Sequence, residues 1–421
     1  EDPAAKLPIP RVSLADIGSL ERLENVRQWL NECVAKHKRC PENESVELPT
    51  RLVEVSPPDA PKSARLRTTG GETGSYATLS YCWGGPQPFQ TVTDSFADYS
   101  TTLPYSNLPR TILDAFEVTR RLGLRYIWID SLCIIQDDLE DKNRELPRML
   151  RIYENSFVTI SAGSASSCNE GFLDPRLDSR SPRQLSVRIN NNQIGTLVVG
   201  NQEETLEFSD HISQPINNRA WTLQESWVAP RLVVFAGLAV VWKCACTGWH
   251  GGLPKGLGSI DDDDGAPYLD SLQAATAHAH VHNSATHHAW HDLVENYTRR
   301  ALTFQGDKLP AISAVAEKFA PLHGGGGDYL AGLWRKHLVF DLLWYTSLPS
   351  SGKGGEGEGE ARFTSQAPSW SWASNSGRIK FADNSALYLH ILPLCSILEC
   401  GVVLTAEGVT YGAVVGGELV V

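Results

Sequence analysis

No apolar run in the 421-residue chain approaches the roughly 18 to 20 residues that a bilayer-spanning helix requires, so no membrane span is expected. Positive charge is also in short supply. With 37 Lys and Arg against 49 Asp and Glu, the net charge of −12 argues against a nucleic-acid partner, which needs a basic stripe to displace counterions. Arg120, Arg121 and Arg125 are the nearest approach to a basic cluster, and a solvated helix face accounts for them. The phosphate-cradling patterns G-x-G-x-x-G and Walker A are missing, and Gly84-Gly85 is too short to replace them. No internal repeat is present. The start, Glu1-Asp2-Pro3, has no basic segment followed by an apolar one, so no secretory leader is expected. Nine cysteines, an odd number without a disulfide-like spacing, fit a reducing compartment, and the expected location is cytoplasmic.

With 42% hydrophobic and 20% charged residues, the chain has the composition of a folded globule. Leu20, Leu23, Val26, Leu30 and Val34 recur at helical spacing and predict a helix over about 20–39. Strands are predicted at 51–55 and 76–81, the latter running into the breaker Cys82-Trp83-Gly84-Gly85-Pro86. Pro109 opens a predicted helix that ends at Gly123. Tyr126–Ile129 is a continuous apolar run of the kind buried on both faces of a sheet. A helix over about 141–154 and a strand at 157–161 complete a β-α-β-α-β alternation. The expected fold class is therefore α/β, with a three-layer parallel-sheet core and additional β-rich and helical C-terminal elements. Strand candidates at 185–189 and 194–199, a helix from Asn217 and a hairpin at 232–243 follow. Further helices are predicted at 290–300, 309–319 and 329–345, and a β-rich tail at 386–421. Gly352–Glu360 is low-complexity. These shifts suggest four parts: a helix-and-strand flank at 1–69, an α/β domain at 70–250, a Gly/Asp/His-rich insertion or linker at 251–289, and a C-terminal region at 290–421 packed on the core.

Several motifs carry a family resemblance. Ala77-Thr-Leu-Ser-Tyr-Cys-Trp-Gly-Gly85, Leu108-Pro-Arg-Thr-Ile112, Tyr126-Ile-Trp-Ile-Asp-Ser-Leu-Cys-Ile-Ile-Gln-Asp137 and Asn218-Arg-Ala-Trp-Thr-Leu-Gln-Glu225 closely resemble the heterokaryon incompatibility (HET) domain of filamentous fungi. The resemblance covers about residues 70–225. Trp29-Leu30 with Cys33, His37 and Cys40, and Pro368-Ser-Trp-Ser-Trp-Ala373, resemble what flanks that domain in such proteins. The resemblance implies a role in non-self recognition and programmed cell death, and an incompatibility partner or self-association. The family is in turn distantly similar to TIR domains, some of which hydrolyse NAD. That likeness implies a Rossmann-like or TIR-like core and an NAD-like nucleotide as ligand.

The residues themselves leave several chemistries open. Asp130 follows a buried strand, where open α/β sheets place ligands. It could orient a ribose hydroxyl, stabilise a developing cation or act as a base, or it could simply cap the next turn. Glu145, followed by Leu146, is similar to the catalytic Glu-Leu of TIR domains, and equally suits a helical ion pair with Lys142, Arg144 or Arg148. Glu225 is the third candidate carboxylate. Arg219, Gln224, Ser131 and Gln136 are candidate ligand-binding groups beside it and Asp130, and Tyr81 and Trp83 are candidate stacking rings. Cys133 has no obvious base, because no His occurs between His37 and His211. Three readings follow: a nucleotide glycohydrolase, a non-catalytic assembly module, and an enzyme of small-metabolite chemistry.

No cofactor or metal is expected from the spacing. Cys33, His37 and Cys40 share one helix face but lack a fourth donor. Cys244-Ala-Cys246 with His250 lacks a second pair. His278, His280, His282, His287, His288 and His291 read as a polar linker, since the HExxH glutamate is absent although His287 and His291 stand four apart.

Overall fold

The computed structural model describes residues 17–41, 45–58, 60, 63–174, 183–190, 193–199, 214–237, 240–246, 250–251, 283–302, 304–323, 328–346, 367–382, 396–405 and 410–421. The low-complexity stretch at 352–360 and His278, His280 and His282 lie outside these residues. The chain divides into two compact units. One comprises 1–217 and 229–265, the other 218–228 and 266–421.

The first unit is built on a mixed eight-stranded sheet. Its strands are β1 (Arg51–Glu54), β2 (Arg65–Thr68), β3 (Tyr76–Ser80), β4 (Tyr126–Trp128), β5 (Val158–Ser161), β6 (Arg231–Phe235), β7 (Val240–Cys244) and β8 (His250–Gly251), in the order β8-β7-β6-β5-β3-β4-β1-β2. The central strands β6, β5, β3 and β4 run parallel to one another. Antiparallel strands extend the sheet at both edges. The α/β class expected from the alternation holds, but the sheet is mixed rather than wholly parallel, because both ends are closed by hairpins. Every residue of β3, β5 and β6 is buried, and the polar ones among them find partners, as where the Thr78 and Thr159 hydroxyls meet at 2.8 Å. β2, unsuspected in the sequence, has only Leu66 buried, so its Arg-rich alternation carries a weak apolar signal.

Helix α1 (Leu20–Lys36) starts at Ser19, whose hydroxyl accepts the Arg22 amide at 3.3 Å. Helix α2 (Arg110–Arg121) connects β3 to β4 and ends at Gly123, whose φ of +78° suits glycine. After β4 the chain makes a helical turn, Asp130–Cys133. The helix expected over 141–154 is two helices, α3 (Leu139–Glu145) and α4 (Met149–Glu154), separated by a 3₁₀ turn that contains Pro147. Asp138 caps α3 through the Glu140 and Asp141 amides.

In the second unit, α5 (Trp221–Val228) and α7 (Pro310–Phe319) pack together: Gln224 Oε1 accepts the Ala314 amide at 3.3 Å, and the Trp227 and Phe319 rings meet. Helix α6 (Asn283–Tyr297) precedes α7. The helix predicted at 329–345 is absent. Instead Tyr329–Leu330 and Leu333–Trp334 form a hairpin around Ala331 and Gly332, both at positive φ, followed by a helical turn at Leu338–Asp341 and a strand at Trp344–Thr346. Gly332 decides the matter. Its carbonyl accepts the indole N–H of both Trp290 (3.0 Å) and Trp372 (2.9 Å), and a Cβ there would lie 2.6 Å from the Trp372 ring. Of the β-rich tail expected at 386–421, residues 386–395 and 406–409 lie outside the described residues, and Glu399–Leu404 pairs antiparallel with Val414–Val420.

Candidate functional site

In the first unit, five of the predicted residues meet at the carboxyl ends of β3 and β4. Tyr81 donates its hydroxyl to Ser131 Oγ (2.9 Å) and accepts from Gln87 Nε2 (2.8 Å). Trp83 Nε1 donates to Asp130 Oδ2 at 3.0 Å, while Asp130 Oδ1 accepts the Ser131 amide at 2.7 Å. Gln136 Nε2 donates to the Asp130 carbonyl at 3.1 Å. Asp130 and Trp83 are half-buried, whereas Tyr81 is 1% exposed and Ser131 fully buried. This network forms because β4 ends at Trp128 and the backbone turns at once into a helix: the Cys133 amide reaches the Ile129 carbonyl at 2.8 Å, which carries Asp130 and Ser131 across the end of β3. The Cys82-Trp83-Gly84-Gly85 break is also explained. Gly84 has φ +76°, and a Cβ on it would lie 2.5 to 2.7 Å from Ser167.

Glu145 belongs to a different network. Buried Asp141 pairs with Arg51 and Arg144 and accepts the Ile135 amide at 2.9 Å. Glu145 Oε1 pairs with Arg144 (3.1 Å) and stands 3.8 Å from Arg148. Burial pushes the Asp141 carboxyl up, but the Arg51 hydrogen bond, the Ile135 amide and Arg144 outweigh it, so the group is held below the usual range. Cys133 is wholly buried, and burial raises its thiol to about 12, which removes thiolate at neutral pH. The Arg120, Arg121 and Arg125 cluster is taken up internally by Val55 and Tyr105, Glu117, and Glu54, respectively.

Arg219, Gln224 and Glu225 lie in the second unit. Glu225 is buried within the electrostatic reach of Arg300. Burial lowers the Arg300 guanidinium to about 10, and it donates to the Arg219 carbonyl (3.3 Å) and Thr222 Oγ1 (3.1 Å). The Arg219 backbone also bridges to Ala301.

Two further clusters were only partly legible in local spacing, which gave Cys33, His37 and Cys40 without the fourth donor, Cys244. In the first unit, one ligand atom each of Cys33, His37, Cys40 and Cys244 lies within 4.8 Å of the others. In the second unit, the same limit holds within the trio His287, His323 and His337 and within the trio His287, His291 and Asp341. Asp341 Oδ1 meets His291 Nε2 at 2.8 Å and His287 Nε2 at 3.0 Å, and its other oxygen accepts the Trp334 amide at 3.2 Å. Burial would raise the Asp341 carboxyl, but His287 and His291 bring it down to about 2. Burial lowers His323 to about 3 and His337 to about 4, which leaves neutral imidazoles. Of this set, only the His287–His291 spacing was legible beforehand.

The fold and the motif network together define an α/β domain whose polar residues gather at the carboxyl ends of parallel strands. Residues 76–225 match the family described as Heterokaryon incompatibility protein (HET). Neither a curated protein nor a solved structure matches the chain. Among the described residues, no helix is long and apolar enough to cross a membrane.

Proposed function

We propose that this protein acts in the cytoplasm, in non-self recognition and programmed cell death, and that its HET domain is a non-catalytic module that signals through self-association or an incompatibility partner. One observation carries this reading: the carboxylates that a hydrolase would need at a transition state are already engaged in the fold. Asp130 holds the Ser131 amide and the Trp83 indole, and Glu145 is buried against Arg144. Such groups orient a turn and a helix, which is a scaffold's task. Asp130→Asn and Glu145→Gln, expressed in cells, are expected to keep full killing activity. Loss of killing at an unchanged melting temperature would overturn the reading.

A second reading is favoured by the Trp83–Asp130 contact itself. Both side chains are half-buried and follow adjacent parallel strands, the position where open α/β sheets hold ligands. On a Rossmann-like or TIR-like core, an NAD-like nucleotide would lay its base on Trp83 and its ribose near Asp130. Tyr81 is too enclosed to stack. Asp130 would then stabilise the oxocarbenium-like ribose as the bond to nicotinamide breaks, the leaving base takes the electron pair, and water adds to the anomeric carbon. Nicotinamide release from NAD by assembled protein, abolished by Asp130→Asn, would support this chemistry. No release under those conditions excludes it.

A further inference from the structure

We propose that Cys33, His37, Cys40 and Cys244 form a structural zinc site of the Cys₃His type in the first unit. The first three come from the end of α1 and the turn after it, and the fourth from β7, 207 positions from His37. Cys244 Sγ lies 3.3 Å and Cys40 Sγ 4.0 Å from His37 Nδ1, with all four ligand atoms within 4.8 Å of one another. Zinc–sulfur bonds of about 2.3 Å and a zinc–nitrogen bond of about 2.0 Å, set tetrahedrally, place such atoms about 3.5 to 3.8 Å apart. A disulfide would join two of the sulfurs and leave the convergence of a third sulfur and an imidazole without a cause.

Arg231 gives independent support. It is 1% exposed, and its Nε lies 3.2 Å from Cys33 Sγ, while its other nitrogens donate to the carbonyls of Phe157 (3.2 Å) and Pro41 (2.5 Å). Among the described residues no carboxylate pairs with this guanidinium. A buried cation without a counter-ion is costly, whereas three thiolates on one zinc ion leave a net charge of −1 for it to offset. The Cys244-Ala-Cys246 pair divides its work accordingly: Cys244 faces the cluster, and Cys246 Sγ accepts the Arg39 amide at 3.4 Å. Zinc here would pin the end of α1 to the edge hairpin of the sheet.

A different observation carries a second site, in the other unit. His323 is 1% exposed, yet neither of its ring nitrogens has a hydrogen-bond partner among the described residues, and His337 Nε2 is in the same position. Buried polar atoms without partners are rare in folded proteins. His323 is fixed by stacking on Trp334, with ring centroids 4.6 Å apart, so it cannot swing out to find one. The geometry points to His287, His323 and His337 as a three-imidazole site for a divalent transition metal, with Asp341 behind His287 orienting its ring.

Both sites are tested on the full chain, produced without a polyhistidine tag, loaded with Co²⁺ in place of zinc and freed of excess metal by gel filtration. The wild type is expected to retain two equivalents and to show the sulfur-to-cobalt charge-transfer absorption of a thiolate site. Cys244→Ser should lose one equivalent together with that absorption. Absence of the absorption from the loaded wild type overturns the zinc site, whether or not the variant folds. His323→Leu should lose one equivalent and keep the absorption, which also reports that the protein remains folded. Full metal content in His323→Leu overturns the imidazole site.

Discussion

The polar residues of the two units differ in how completely the fold satisfies them. Around Asp130 each predicted side chain has a hydrogen-bond partner: Tyr81, Ser131, Trp83 and Gln136 all close on one another or on backbone. Around Asp341, buried imidazole nitrogens of His323 and His337 have no such partner among the described residues. An unpartnered buried polar atom costs about 1 to 3 kcal/mol. The proposed metal site rests on that difference: a ligand would supply the partners that the fold does not give His323 and His337. On the readings proposed above, the motif with the family signature serves the fold, and the histidine cluster, which has no sequence motif, is the ligand site.

That contrast can be broken most sharply at Asp141. Asp141→Ala leaves Arg51 buried without its carboxylate, and is expected to cost about 3 to 5 kcal/mol, read from the denaturation midpoint. The pH dependence has a definite sign. The carboxyl is held below its ordinary value, so its contribution is fully present above the unfolded pKa of about 4 and is lost as pH falls through the folded value. The wild type should therefore lose stability in acid more steeply than Asp141→Asn.

Gly84→Ala comes next, at about 2 to 3 kcal/mol, since it combines a left-handed backbone with contact to Ser167. Adding Ser167→Gly in the Gly84→Ala background should recover the part of the loss due to that contact, and no recovery would remove Ser167 from the explanation. His323→Leu inverts sign with metal: in chelator-treated protein it should stabilise by about 1 to 2 kcal/mol, because two unpartnered nitrogens disappear, and in metal-loaded protein it should destabilise. Thermal melts under the two conditions check this. Tyr81→Phe, which removes one bridge between Gln87 and Ser131, should cost about 1 kcal/mol. The smallest effect is none at all: Cys133 should resist alkylation in the native protein and react only on unfolding, as mass spectrometry of labelled peptides would show.

Much of the sheet was legible because its central strands are buried on both faces and so draw on apolar and β-branched residues. Asp130 was legible for the same reason, as the first polar residue after Tyr126–Ile129. Elements failed where the determinant lay elsewhere in the chain. The aromatic spacing of 329–345 imitates a helix, but two distant indoles claim the Gly332 carbonyl. Pro147 splits a helix whose apolar pattern continues across it. Neither metal-competent cluster could be completed from spacing: Cys33, His37 and Cys40 and the His287–His291 pair were visible, but Cys244, His323, His337 and Asp341 reach them only through tertiary structure. Glu145 was read correctly as a possible ion-pair member, since its arginine partners are one and three residues away.

The sheet order has a practical consequence for anyone who trims the gene. The family interval at 76–225 holds only β3, β4 and β5 of the eight strands; β1 and β2 precede it and β6 to β8 follow. Its last residues form a helix that belongs to the second compact unit. A fragment cut at the borders of the inherited module would expose unpaired strand edges on both sides and carry an orphaned helix at its end. What evolution passes on as one piece and what folds as one piece have different boundaries here, and expression designs should follow the latter.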